Sequence, residues 1–198
     1  MKNKMRNNEM DVVFLLDRSG SMGGIEKDTI GGYNSYIDSQ RGKNVKVTTI
    51  LFDDKYEVLH NREDVDNIKK LTNKEYYVRG CTALLDAIGK TIREMEDKDP
   101  NRVMFIITTD GYENASTKYN KSQIKELISA HKDWKFMYIG ADIDSYSEGR
   151  SIGIDDSFIA NYEKSEKGVK KLYKAVSKLS CIFYDEDEID ESWKNELE

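Results

Sequence analysis

Two stretches, residues 11–16 (DVVFLL) and 102–107 (RVMFII), are apolar at almost every position. A strand with one wetted face alternates, so runs of this kind mark strands covered on both faces, as in a parallel sheet flanked by helices. VKVTTILF (45–52), WKFMYIG (134–140) and, less cleanly, DSFIA (156–160) supply three more strands. The segments between them carry helical spacing. Ile25, Ile30, Tyr33, Tyr36 and Ile37 fall near one face despite Gly31 and Gly32, and Leu84, Leu85, Ile88, Ile92 and Met95 form a second such stripe. Ile124, Leu127 and Ile128 follow Ser122 as a candidate cap, Val169, Leu172, Tyr173, Val176 and Leu179 mark a late helix, and a short helix is expected around 145–151. KYEVLH (55–60) alternates and follows the second strand after only DDK, which predicts a tight reversal into an antiparallel edge strand. The alternation predicts an α/β fold: a doubly wound, Rossmann-like, mostly parallel sheet with one antiparallel edge strand and helices on both faces.

A single proline, Pro100, and the lack of any Ser/Gly-rich stretch in 198 residues argue against an internal linker. One domain is expected over residues 9–182, after an N-terminal extension (1–8) and before an acidic tail (183–198) read as a solvated or partly helical extension. The formal charge of −6 is concentrated in that tail: residues 185–198 carry −7, which leaves about +1 on the rest. Such a body is not a basic nucleic-acid binder. No secretory pattern opens the chain and no run reaches the roughly 18 apolar residues of a membrane span, so a soluble, cytoplasmic protein without membrane contact is expected. Cys81 and Cys181 lack metal-type spacing and read as buried thiols.

In open parallel sheets the working site lies beyond the carboxyl ends of the strands, where the strand order reverses. Asp17 sits at the end of the first strand, Ser19 and Ser21 follow it, Asp110 follows the strand from Arg102, and Thr82 precedes a helix. Taken alone, each has a plain explanation: DRSGS as a strand-to-helix turn capped by a serine, Thr82 as a helix cap, Asp110-Gly111 as a turn. Together they bring two carboxylates and three hydroxyls to one edge. A hard cation such as magnesium takes about six oxygens at roughly 2.0–2.1 Å. With at most two carboxylates to balance its charge, its field would reach outward to an incoming carboxylate, and the N-terminal end of the following helix would favour the same anion.

The pattern resembles that of von Willebrand factor type A, or integrin I, domains over about residues 9–182. Their metal-ion-dependent adhesion site runs D-x-S-x-S, then a distant Thr, then an Asp after a later strand; DRSGS, GCTALLDA and TTDG supply all five positions. The resemblance implies Ser19, Ser21 and Thr82 as direct or exchangeable ligands of Mg²⁺ (alternatively Mn²⁺ or Ca²⁺), with Asp17 and Asp110 binding directly or through water. It also implies a protein partner that presents Glu or Asp. Asp86, one turn after Thr82, is a candidate to bond the ligands from behind or else a surface helical residue, and Asp53, after the second strand, is a weaker such candidate that reads first as a turn residue before Lys55. Glu113, Asn114 and the loop 72–80 lie on or near the expected rim as candidates to set partner specificity, with Tyr76 and Tyr77 equally explained as packing residues.

A metal-assisted hydrolase or phosphoryl-transfer enzyme is the alternative. The only histidines, His60 and His131, fall on the edge strand and late in a helix, no phosphate-cradling G-x-x-x-x-G-K-[ST] loop is present, and Cys81 has no paired base, so a non-enzymatic module is preferred. A third reading makes the chain a subunit of a larger, for example ATPase-linked, assembly. Its narrower form is self-association, with an acidic-tail carboxylate of one copy on the metal of another.

Overall fold

β1 (Met10–Asp17) is buried along its whole length and pairs in parallel with β2 (Val45–Phe52) on one side and β4 (Val103–Thr109) on the other. The computed structural model describes residues 9–185 and 191–197. Among these, β5 (Lys135–Gly140) and β6 (Ile159–Asn161) extend the sheet beyond β4, and β3 (Tyr56–Asp64) closes the opposite edge. The order is β3-β2-β1-β4-β5-β6, parallel throughout except for the antiparallel β2–β3 pair, so the α/β fold class is as expected. Strand order reverses between β1 and β4, and the crevice beyond their carboxyl ends is the natural place for a site.

Successive side chains of a strand point to opposite faces, and β1 feeds two cores. Val12, Phe14 and Leu16 meet α1 (Glu26–Gln40) and α5 (Glu166–Asp185). Val13 and Leu15 meet α2 (Leu84–Glu96) and α3 (Lys121–Ala130). The remaining helix, α4 (Ser145–Ser151), lies where the short helix was expected. Gly32, an awkward residue for a helix interior, is explained by close packing: a Cβ there would sit 2.1 Å from the Tyr173 ring of α5. α1 and α5 therefore meet through a missing side chain.

Beyond shifts in strand ends, the largest at β6, where Asp156–Phe158 form a 3-10 turn ahead of it, four details differ from the sequence reading. α3 is capped by Asn120 rather than Ser122: Asn120 Oδ1 accepts from the Gln123 N–H while the Gln123 side chain accepts from the Asn120 N–H, a reciprocal capping box that Ser122 sits too late to form. β3 runs on to Asp64 across an irregularity at Arg62 (φ 50°), whose guanidinium reaches back to Asp11 and Glu9. The thiols are not buried: Cys81 is exposed, and Cys181 is half-buried with the Lys43 ammonium 3.0 Å from its sulfur.

The fourth concerns the tail. α5 crosses the expected boundary at 182/183, and the 3-10 turn Glu191–Glu196 folds back on the domain. Trp193 is fully buried in the α1–α5 core, its indole N–H donating to the Ser157 carbonyl at 3.0 Å, while Glu196 pairs with Lys174 at 2.7 Å. A buried indole outweighs the solvation of its acidic neighbours, so this part of the tail is not a solvated extension. Residues 186–190, which hold much of the tail's charge, lie outside the described residues. Trp193→Ala is expected to lower unfolding stability by about 3 kcal/mol, the usual cost of emptying an aromatic site. Urea titration checks it, and an unmoved midpoint would show that the segment does not support the core.

Candidate metal centre

The five residues singled out by the D-x-S-x-S pattern and its distant partners meet at the β1/β4 crevice. Asp17 ends β1, and the chain turns at once: the Ser19 N–H donates to Asp17 Oδ1 at 2.6 Å, and residues Gly20–Met22 make a 3-10 turn. Asp17 Oδ2 accepts from the Thr109 hydroxyl at 2.6 Å, which ties the end of β1 to the end of β4, and the buried Tyr76 hydroxyl donates to the Asp17 carbonyl at 2.6 Å. The loop bearing Thr82 is stitched to both neighbours. The Gly20 N–H donates to Gly80 O (3.2 Å), the Thr82 N–H to Asn114 Oδ1 (2.9 Å) and the Asn114 N–H back to Thr82 O (3.0 Å).

Ser19 does not use its hydroxyl to cap the turn; Ser19 Oγ lies 3.0 Å from Ser21 Oγ instead. A Cβ added at Gly111 would fall 2.9 Å from Ser21 Oγ, 3.0 Å from Thr82 Oγ1 and 3.7 Å from Ser19 Oγ. The three hydroxyls thus surround a single small space, kept open because residue 111 has no side chain.

The electrostatics of this space are unbalanced. Burial pushes the Asp17 carboxyl up to about 6, with the Asp110 charge adding to the rise and the hydrogen bonds from Thr109 and Ser19 opposing it. Asp110 is also buried; its Oδ2 is paired with the Lys164 ammonium at 2.7 Å, which also donates to the Ser21 carbonyl, and its Oδ1 has no hydrogen-bond partner. An unpartnered buried carboxylate oxygen costs free energy unless a cation meets it. No group of three His, Cys, Asp or Glu able to hold a metal occurs among the described residues, so an ion held here would take much of its shell from hydroxyls. An all-oxygen set with two carboxylates fits a hard cation.

The residues expected to stand behind the ligands are engaged elsewhere. Asp86 accepts the N–H groups of Thr117, Lys118 and Tyr119 at 2.9–3.0 Å, and although burial alone would raise its pKa, these bonds hold it below the usual carboxylate range. It shapes the loop after Asp110. Asp53 is buried against Arg18 (2.9 Å) and Arg79 (2.7 Å) and accepts the Lys55 N–H; its burial is outweighed by these partners and its pKa is lowered. Glu113 is occupied as well, accepting the Leu85 N–H at the start of α2 and the Ser116 hydroxyl. Asn114 holds Thr82. Tyr77 remains on the rim, exposed beside the Arg18 and Arg79 guanidinia. Thr109, Arg18 and Lys164 escaped the sequence reading; the doubled threonine before Asp110 was the only local hint.

No protein-family model matches the chain. An uncharacterized protein of Methanocaldococcus jannaschii is 21% identical over 182 residues, 89% of this chain and 40% of that protein, so the chain spans about two fifths of its curated relative. Among solved structures, proximal thread matrix protein 1 from the mussel byssus, with a zinc-occupied MIDAS motif, superposes with a TM-score of 0.67 at 18% identity, covering 87% of this chain and 46% of that one. The vWF domain of the type V pili tip protein Mfa5 from Porphyromonas gingivalis gives 0.69 at 10% identity, covering 91% and 98%. Manganese-loaded TRAP protein of Plasmodium vivax gives 0.61 at 20%, covering 84% and 74%. Strand order, crossover helices and these superpositions agree: the chain has the fold of von Willebrand factor type A domains.

Proposed function

We propose that the chain is a metal-dependent protein-binding module in which Asp17, Ser19, Ser21, Thr82 and Asp110 hold a divalent cation and a Glu or Asp of a partner completes its shell. The observation that carries this reading is the cradle at Gly111, where three hydroxyls converge beside an unpartnered, buried Asp110 oxygen. Magnesium is the first candidate because the donors are all oxygen, with manganese and calcium as alternatives. The mussel protein's zinc-occupied MIDAS and the manganese-loaded TRAP protein support a divalent ion in this fold.

Hydrolysis is less well supported. His60 is buried on β3 next to the Tyr33 hydroxyl, and His131 stacks on Trp134 and bonds Glu96, so neither is placed to act as a base at the crevice. The reading extends to a reducing compartment, the cytoplasm, because both cysteines are free thiols.

Gly111→Ala tests the cradle alone, since Gly111 has an ordinary backbone conformation and only the added methyl group crowds the hydroxyls. Overpacking of this kind is expected to weaken Mg²⁺ binding at least about ten-fold by calorimetry, with the fold retained. Saturating Mg²⁺ is expected to raise unfolding stability by about 2.7 kcal/mol at a hundredfold excess over Kd, and chelation or Asp17→Ala to abolish the gain. A melting temperature indifferent to metal at every concentration would contradict the reading. Partner capture from source-cell extract in Mg²⁺ should differ between wild type and Asp17→Ala; identical partner sets would mean that the centre is not the binding site.

A further inference from the structure

We infer that Lys164 tunes the centre toward acidic ligands, lowering its affinity for the metal alone and raising the affinity of the metal-loaded centre for a carboxylate, an inference that rests on the metal-dependent reading above. Lys164 lies between β6 and α5, three-quarters buried, with its ammonium 2.7 Å from Asp110 Oδ2 and donating to the Ser21 carbonyl. It is thus bonded to two of the residues that form the cradle, from an element that supplies none of the five oxygen donors. The opposite face of Asp110 is left to Oδ1, which has no partner.

Charge balance gives this lysine a consequence. At their formal charges, Asp17 and Asp110 with the Lys164 ammonium leave the centre one net negative charge before an ion binds. A divalent cation converts this to one net positive charge, in a buried place where imbalance is poorly screened. A single carboxylate from a ligand then restores neutrality; a neutral amide does not. Without the ammonium, the cation alone would already neutralise the two aspartates, and an arriving carboxylate would bring surplus negative charge. Lys164 therefore weakens the metal and strengthens the acid at the metal-loaded centre, while the attraction between metal and acid themselves, equal in both directions by linkage, does not depend on it. It acts as a positioning and selecting charge rather than as a ligand.

The test uses the full chain, Mn²⁺ as the metal, acetate as the acidic probe and acetamide as its neutral counterpart, with free Mn²⁺ read by electron paramagnetic resonance. Lys164→Met keeps the length of the stem and removes the charge; it is expected to bind Mn²⁺ about ten-fold more tightly than wild type in the absence of acetate, the size expected for losing one nearby like charge. At a fixed acetate concentration below saturation, acetate, but not acetamide, should tighten Mn²⁺ binding by wild type, and this gain should shrink in Lys164→Met because acetate binds its metal-loaded centre more weakly. Lys164→Arg should behave as wild type, which separates charge from packing. Equal or weaker Mn²⁺ binding by folded Lys164→Met would overturn this inference and leave the metal reading standing. Failure of all three proteins to bind Mn²⁺ would overturn the metal reading and this inference together.

Discussion

The structure depends on holding a carboxylate at the buried end of its central strand. Asp17 has no exposed surface, and the rise of its pKa to about 6 reflects the free energy spent in keeping a charge there. The surroundings are arranged to limit that cost. The Ser19 N–H and Thr109 hydroxyl each take one carboxylate oxygen, and Tyr76 satisfies the neighbouring carbonyl. The next residue, Arg18, points the other way into a buried ion network with Asp53 and Glu57. Two adjacent charges are thereby separated into two polar environments, one internally compensated and the other left short of positive charge.

This asymmetry explains why the two groups of carboxylates differ in use. Asp53 is met by two guanidinia and a backbone amide, Asp86 by three backbone amides, and both are held in the ionised form as parts of the scaffold. Asp17 and Asp110 have hydroxyls and a single ammonium nearby. Incomplete satisfaction at one edge of an otherwise well-satisfied fold is where function is expected to reside. The rigid crevice between β1 and β4, anchored in two cores, keeps the unsatisfied groups from relaxing toward each other or toward solvent.

Much of this was legible in the sequence because the governing signals are local. β2 coincides with the stretch read as a strand and β1 differs by one residue at each end, since strand burial is a property of neighbouring residues, and α4 covers the short helix expected at 145–151. The five residues stood out through a pattern of residue type and order, and the fold brings them together. What remained hidden arises from contacts between distant segments. Nothing around Lys164 marks it as the partner of Asp110, nothing around Arg18 marks it as the partner of Asp53, and Trp193 sits in a stretch whose composition suggests solvation. Asp86 is turned toward loop amides that no spacing rule reveals. The glycines were similar: Gly32 looked like a weakness in a helix and Gly111 like an ordinary turn, until the Tyr173 ring and the three hydroxyls gave each its reason.

The central claim is that the space before Gly111 is a cation site built from hydroxyl and carboxylate oxygens. Anomalous diffraction from crystals grown with Mn²⁺ tests it most directly. The account predicts one strong manganese peak in the β1/β4 crevice, bonded to the Ser19 and Ser21 hydroxyls with Thr82, Asp17 and Asp110 around it. A manganese-containing crystal with no peak there, or with manganese bound only to carboxylates outside the crevice, would contradict it.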